Sequence, residues 1–286
     1  MKTQVFALAF VLGEFLYSTT TQAAAVVYVG RSSGVVEHDA TTGALIPDFS
    51  IAGNATALAL GGNYLFVGTS NTVREYDAAT GALLPNFQGE PGTTALAASA
   101  NYLFVAHSSN VRKFEISTGA LIPAFDGALG ANALAVSGNN LYFARSSGVR
   151  EYDATTGALN SDFIIGSDAT ALAVSGNFLF VGTSSGVREY DATTGALIFD
   201  FSLGVPVPAL AASGNDLYVA SANSVRKFNI STRTLIPAFD GVPGATALAA
   251  VPTPEPTAAV SLLLGLGLLA SRRNRPTRAR EVSVFG

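Results

Sequence analysis

Residues 148–159 read GVREYDATTGAL, and residues 186–197 repeat the same twelve letters. A catalytic motif is needed once, whereas a building unit recurs, so further copies are expected at the same interval. The glycine of TGAL falls at Gly43, Gly81, Gly119, Gly157 and Gly195, always 38 residues apart, and Arg233 holds the next place. The leucine two positions on is kept at Leu45, Leu83, Leu121, Leu159, Leu197 and Leu235. A phenylalanine follows at Phe49, Phe87, Phe125, Phe163, Phe201 and Phe239, and the triplet Ala-Leu-Ala centres on Leu58, Leu96, Leu134, Leu172, Leu210 and Leu248. No insertion breaks the period, and six copies of 38 residues fill the chain between its two ends.

Each copy holds four short strand-like pieces. In the fifth they are TALAVS (170–175), NFLFVGT (177–183), VREYD (187–191) and ALIFDF (196–201), divided by Gly, Ser, Asn, Asp and Thr clusters. Runs this short, rich in Val, Tyr and Phe and interrupted at about ten-residue intervals, indicate antiparallel meanders. In the DATTG link the Asp side chain can accept backbone N–H groups two residues on, and the glycine tolerates positive φ, which is hairpin chemistry. Four strands per repeat predict an all-β, six-bladed β-propeller with one sheet per blade.

Side-chain size supports the same geometry. Blades converge on an axis, so inner strands must be thin. The expected innermost strand is Ala-Leu-Ala, and the next carries a small residue at Gly30, Gly68, Ala106, Ala144, Gly182 or Ala220. The repeat region, residues 26–250, starts with a second-type strand, VVYVG, and ends with an innermost one, ATALAA. These pieces are expected to complete one blade between them, closing the ring and removing raw sheet edges. A period of 114 residues lies above the first: RSSGV recurs at 31 and 145, VGTS at 67 and 181, and IPAFDG at 122 and 236. The third-strand series Glu37, Glu75, Lys113, Glu151, Glu189, Lys227 follows it too. A three-blade precursor has doubled.

Composition narrows the function classes. From Val26 to Val251 there are ten Lys and Arg against seventeen Asp and Glu, a net of −7, which argues against a nucleic-acid surface. There is no cysteine, hence no disulfide, thiol nucleophile or thiolate metal site. The N-terminus has Lys2, an apolar run at Val5–Leu12 and Ala23-Ala24-Ala25, the pattern of a signal peptide (residues 1–25) cleaved after Ala23 or Ala25. At the other end a Pro-rich linker (251–257) precedes an uncharged stretch at Ala258–Ser271 and a basic tail (272–286). As a helix of fourteen residues the uncharged stretch reaches ~21 Å, short of a ~30 Å hydrocarbon core. The arginines behind it would hold the tail cytoplasmic.

Pro254-Glu255-Pro256, a short hydrophobic helix, and the cluster Arg272, Arg273 and Arg275 together resemble the PEP-CTERM sorting signal of exosortase substrates. The resemblance covers about thirty residues. It implies recognition of the tail in the inner membrane by an exosortase-like enzyme and cleavage near Pro-Glu-Pro. Passage to the envelope, surface or extracellular matrix of a Gram-negative-type bacterium would follow. A plain transmembrane anchor is the alternative. The helix is shorter than the family's, and eleven residues follow Arg275 where the family stops sooner. The repeat text LFVGTSSGVREYDATTGAL (179–197) resembles YVTN-type bacterial propeller repeats, and DATTGAL is similar to the repeats of quinoprotein dehydrogenases. The second likeness would carry a quinone. The tryptophans of those repeats are absent and their ring has eight blades, so the likeness is one of structural grammar, and no cofactor is expected.

Candidate sites divide between scaffold and ligand. Asp39, Asp77, Asp153 and Asp191 suit hairpin turns better than catalysis or calcium binding. Arg74, Arg112, Arg150, Arg188 and Arg226 stand one per blade, with Val36 in the remaining copy. They suit ion pairs with carboxylates of the same or adjacent blade, or contact with a polyanion or acidic glycan. His38 and His107 share no repeat position and are expected at the surface or rim. Thr56, Thr94, Asn132, Thr170, Pro208 and Thr246 precede the innermost strands, where propeller enzymes place their chemistry, but they cannot form an acidic metal cluster. No HExxH, nucleophile elbow, P-loop or paired-carboxylate spacing occurs. The expectation is a non-catalytic binding or structural module of the envelope, with polysaccharide or another surface protein as partner. The alternatives are a periplasmic assembly scaffold and a propeller enzyme, either a lactonase-like hydrolase or a quinone-dependent oxidoreductase.

Overall fold

The structure is a computed structural model that describes residues 25–251 apart from 126–129, 167, 240 and 241. Ala23, Pro254, Glu255, Pro256, Arg272, Arg273 and Arg275, with the expected signal peptide up to residue 24, the hydrophobic helix and the basic tail, lie outside the described residues. Within them the chain forms six antiparallel sheets. Blade two has the strands Ala57–Gly61, Tyr64–Gly68, Val73–Asp77 and Leu83–Gly89 in order from the axis outward. Blade four (Ala133–Ser137, Asn140–Arg145, Gly148–Asp153, Leu159–Ile165) and blade five (Ala171–Ser175, Phe178–Gly182, Gly186–Asp191, Leu197–Ser202) follow the same plan.

Blade one is assembled from both ends of this segment. Val26–Arg31 pairs on one side with Gly34–Asp39, which leads on to Leu45–Ala52, and on the other with Ala247–Ala250. Val27, Tyr28, Val29 and Gly30 face Ala250, Ala249, Leu248 and Ala247 in antiparallel register, and Val251 N–H donates to Val26 O at 3.0 Å. The expected closure of the ring is therefore present.

The innermost strands show why the hub must be thin. Each central leucine packs on the alanine pair of the preceding blade: Leu58 on Ala247 and Ala249, Leu96 on Ala57 and Ala59, Leu134 on Ala95 and Ala97. Leu172, Leu210 and Leu248 repeat the contact around the other half. Burial of each such leucine contributes about 1.5–3 kcal/mol, and a larger residue in place of alanine would push two blades apart. The second strand meets the same limit. A Cβ on Gly30 would lie 3.1 Å from Ala55 Cβ and 3.2 Å from Leu58 Cδ1.

The outer strands depart from expectation in two blades. In blades one, two, four and five the third and fourth strands pair across a register shift. In blade three (Ala95–Ala98, Tyr102–Ala106, Val111–Glu115) the fourth strand shrinks to a bridge, Phe114 to Leu121, followed by a 3₁₀ turn at Pro123–Phe125. In blade six (Ala209–Ser213, Asp216–Ala220, Val225–Asn229) it is Thr234–Ile236, followed by a 3₁₀ turn at Pro237–Phe239. These are the two copies of Ile-Pro-Ala-Phe. Proline opens a helical turn readily, and Ala124 and Ala238 favour it. The other four blades have Asp48, Asn86, Asp162 and Asp200 at that place, which are poorer helix formers. Either conformation delivers the phenylalanine inward, and all six from Phe49 to Phe239 are buried.

Candidate functional site

The axis offers two small openings. Where the innermost strands begin, Thr56, Thr94, Asn132, Thr170, Pro208 and Thr246 surround a space of about 90 Å³, and the opposite end, lined by Leu, Ala and Val, holds about 140 Å³. Ligand pockets for small organic molecules are ~300–1,000 Å³. Thr94, Thr170 and Thr246 donate their hydroxyls to Ala131 O, Val207 O and Ala55 O of the following blade at 2.7–2.8 Å, so they tie seams together. Among the described residues no lysine or arginine lines either opening. The axis does not fit a polycarboxylate quinone.

The Asp series does what turn chemistry requires. Asp153 Oδ1 accepts Thr155 N–H at 2.9 Å, Thr156 N–H at 2.7 Å and the Thr156 hydroxyl at 2.9 Å, and Asp39, Asp77 and Asp191 do the same in their links. Those hydrogen bonds hold the four carboxyls below the usual aspartate range.

The five arginines lie on five different sheets, so the fold spreads them around the circumference. Arg188 pairs with Asp200 of its own blade at 3.3 Å. Arg112 meets Glu90 at 3.1 Å, and Glu90 also receives His107 Nε2 at 2.8 Å. Arg74 and Arg226 are exposed and Arg150 is half-buried. The expected rim position of the histidines needs correction for His38. It is 5% exposed, with Nδ1 2.9 Å from Gly43 O, its ring near Phe239, and burial lowering its pKa. It occupies the buried place that Tyr76, Phe114, Tyr152, Tyr190 and Phe228 fill in sister blades.

The third-strand series is the chemically unusual feature, and sequence reasoning used it only as a mark of duplication. Glu37, Glu75, Lys113, Glu151, Glu189 and Lys227 are all buried, one per blade. A usable signal was the spacing: each stands two residues after the buried Val35, Val73, Val111, Val149, Val187 or Val225, hence on the same strand face. Each half of the ring solves the problem of these charges differently.

Glu189 is fully buried and paired. Arg233, from blade six, donates Nε to Oε2 at 3.0 Å and its terminal nitrogen to Oε1 at 3.1 Å. Arg233 stands where five sister links have glycine and keeps that glycine conformation, φ 57° against 68° at Gly119. A side chain with left-handed backbone is uncommon, and here it supplies the counter-ion. Glu75 is the repeat equivalent of Glu189, and the place that Arg233 holds in blade six belongs in blade three to Gly119, which has no side chain to offer. Both Glu75 carboxyl oxygens are buried without a hydrogen-bond partner, and burial pushes its pKa up. Glu151 receives only a 3.4 Å contact from Asn160 Nδ2, and burial raises both it and Glu37.

The two lysines also differ. Lys227 Nζ lies 2.8 Å from Asp216 Oδ2 and donates to Ala40 O at 2.8 Å. Lys113 Nζ donates to Ala154 O at 2.8 Å and lies 3.9 Å from the centre of the Tyr102 ring. Burial lowers its pKa, against an opposing pull from Asp153. Beside it, between blades three and four, is a cavity of about 470 Å³. Among the described residues no group of three or more His, Asp or Glu side chains could hold a metal ion.

The site and the ring together define a closed six-bladed propeller whose seams carry ionisable groups. The chain is similar to the following known proteins. Residues 145–256 match the PQQ_2 family model, described as outer membrane protein assembly factor BamB, and residues 52–72 match the LVIVD repeat. No curated protein matches the chain. Among solved structures, a nidogen/laminin complex superposes with a TM-score of 0.65 at 9% identity, over 79% of this chain and 98% of that one. The computationally designed Ika8 protein gives 0.50 at 24% identity over 78% and 76%. BamB from Moraxella catarrhalis gives 0.44 at 21% over 74% and 69%.

Proposed function

We infer that the chain is an exported, non-catalytic propeller that serves as a binding or structural module of the cell envelope or extracellular matrix. It is delivered by a PEP-CTERM type of sorting. The observation that carries this reading is where the ring ends. The closing strand stops at Ala250, and Val251 is still tied to the ring, its N–H on Val26 O and its carbonyl accepting the Ser213 hydroxyl at 2.7 Å. Pro254-Glu255-Pro256 follows three residues later. A cut there removes the tail and leaves every strand of the ring in place. At the other end, cleavage after Ala23 or Ala25 leaves the Val26 strand whole. The match of residues 145–256 to a model described as an outer membrane assembly factor agrees with an envelope protein.

The rim arginines, above all the exposed Arg74 and Arg226, are the surface this reading assigns to an acidic polysaccharide or a surface protein. A quinone-dependent oxidoreductase, the chemistry the PQQ_2 match suggests, would need cations and space at the axis, and among the described residues the openings there supply neither. Intact mass of the protein recovered from its native envelope tests the proposal. The expected species starts at residue 24 or 26 and ends near Pro-Glu-Pro, with no metal or quinone by elemental analysis and absorbance. An uncut C-terminus would contradict the sorting, and a stoichiometric cofactor would contradict the non-catalytic role.

A further inference from the structure

The buried lysines related by the 114-residue repeat are a natural control for each other. Lys113 is 4% exposed and Lys227 7%, and each donates to a carbonyl of the next blade. In blade six, Asp216 completes the arrangement with a carboxylate. Its repeat equivalent in blade three is Tyr102, whose ring face attracts the ammonium but carries no negative charge. Among the described residues Lys113 forms no ion pair. An ammonium has three protons to donate, and one carbonyl takes one of them. A buried charge left in that state is costly unless an anion completes it.

The space for that anion adjoins the amine. The 470 Å³ cavity is lined by Lys113, Tyr102, Phe104, Asn101, Asn139 and Thr155 among others, and its volume falls in the range of small-molecule sites. Lys113 and Phe104 are buried in its depth, while Asn101, Asn139 and Thr155 are exposed at its mouth. Asp153, whose field favours the protonated amine, is not free to pair with it. Its oxygens accept the Thr155 and Thr156 N–H groups, the Thr156 hydroxyl and the Asn139 amide. Among the described residues one cation, Lys113, lines the cavity, which suits a monoanion.

We propose that this cavity binds a small hydroxylated carboxylate, with its anionic group on Lys113 and its hydroxyls toward Asn101, Asn139 and Thr155. A free hydroxy acid and a single uronate unit of a polysaccharide share this chemistry. The site needs neither the sorting signal nor the rim arginines, so it stands or falls apart from the envelope reading.

The test is calorimetric titration of the full-length chain with lactate, glucuronate, an oligomer of glucuronate, and glucose. Saturable binding of lactate or glucuronate at millimolar concentration, with glucose at least about tenfold weaker, is expected. Tighter binding of the oligomer than of the monomers would support the proposal with polysaccharide as source, and monomer-only binding would support it with a free acid. Tyr102→Asp installs the internal carboxylate that blade six already has. It should keep the melting temperature and weaken binding about tenfold or more, as should Lys113→Met, while Lys227→Met leaves binding unchanged. Glucose binding as well as glucuronate, no saturable binding of either acid, or a folded Tyr102→Asp variant that binds like wild type would each overturn the proposal.

Discussion

Glu75 is fully buried, neither carboxyl oxygen has a partner, and the methionine side chain has nearly its shape without the charge. Consider Glu75→Met. In the folded chain burial raises the carboxyl pKa, so the group keeps its proton to a higher pH than in the unfolded chain. A raised pKa means that wild-type stability is fully present below the unfolded value, about 4.3, and is lost as pH rises through the folded value. Methionine has no such loss. The gain from the substitution should be near zero at pH 4, because a protonated carboxyl and a thioether fill similar space. It should then grow by about 1.4 kcal/mol for each pH unit in which only the folded chain holds the proton. The ceiling at pH 7 is about 3.7 kcal/mol, the cost of keeping a carboxyl of unfolded pKa about 4.3 neutral there. Urea unfolding from pH 4 to 8, with the slope in urea unchanged, measures it. A variant less stable than wild type at pH 7, or a gain that does not change with pH, would refute the reasoning.

Four other outcomes are expected. Arg233→Gly relieves a left-handed side chain but orphans Glu189, so the variant should be less stable at neutral pH and recover in acid. Adding Glu189→Gln should restore neutral-pH stability, and denaturation at two pH values reads both effects. Gly148 has φ 121°, and a Cβ there would collide with Ile165 O, so Gly148→Ala should cost more than about 2 kcal/mol by urea midpoint. The depressed turn carboxyls Asp39, Asp77, Asp153 and Asp191 contribute stability that is lost as pH falls below about 3.9, while the raised Glu37, Glu75 and Glu151 contribute stability lost as pH rises above about 4.3. The melting temperature should therefore peak on the acid side of neutrality, which a calorimetric pH series would show. Leu248→Lys puts a charge among Ala209, Ala211 and Val29 and should loosen the seam between blades six and one, seen as faster proteolysis.

The architecture was legible because it is repetitive. A fixed period, a strand made of alanine around one leucine, and a terminal piece of inner-strand type at the C-terminal end leave a closed ring as the consistent arrangement. The turn role of the aspartates followed from side-chain reach alone. The buried charges were harder to read. Glutamate and lysine are taken as surface residues from composition, and only their spacing from Val73 or Val111 places them on the packed face. His38 misled for the same reason, since polarity suggested the rim while its repeat position belongs to buried aromatic residues. Whether a buried charge is satisfied depends on the next blade, as Arg233 for Glu189 and Gly119 for Glu75 show. That pairing exists only once neighbouring blades have packed together. The shortened outer strands of blades three and six turn on one alanine in place of Asp or Asn, too local a cue to outweigh the repeat.

Head-to-tail closure completes the circle of seams described above, and the absence of cysteine from the chain makes it directly measurable. Val27 and Ala250 face each other across the closing pair, and directly opposed residues in antiparallel strands stand close enough for a disulfide after slight adjustment. The full-length Val27→Cys, Ala250→Cys variant, oxidised at low concentration, should lose two hydrogens by intact mass, remain monomeric and join the two ends covalently. Free thiols after oxidation, or disulfide-linked dimers in place of the internal bond, would contradict a ring closed between its first and last strands.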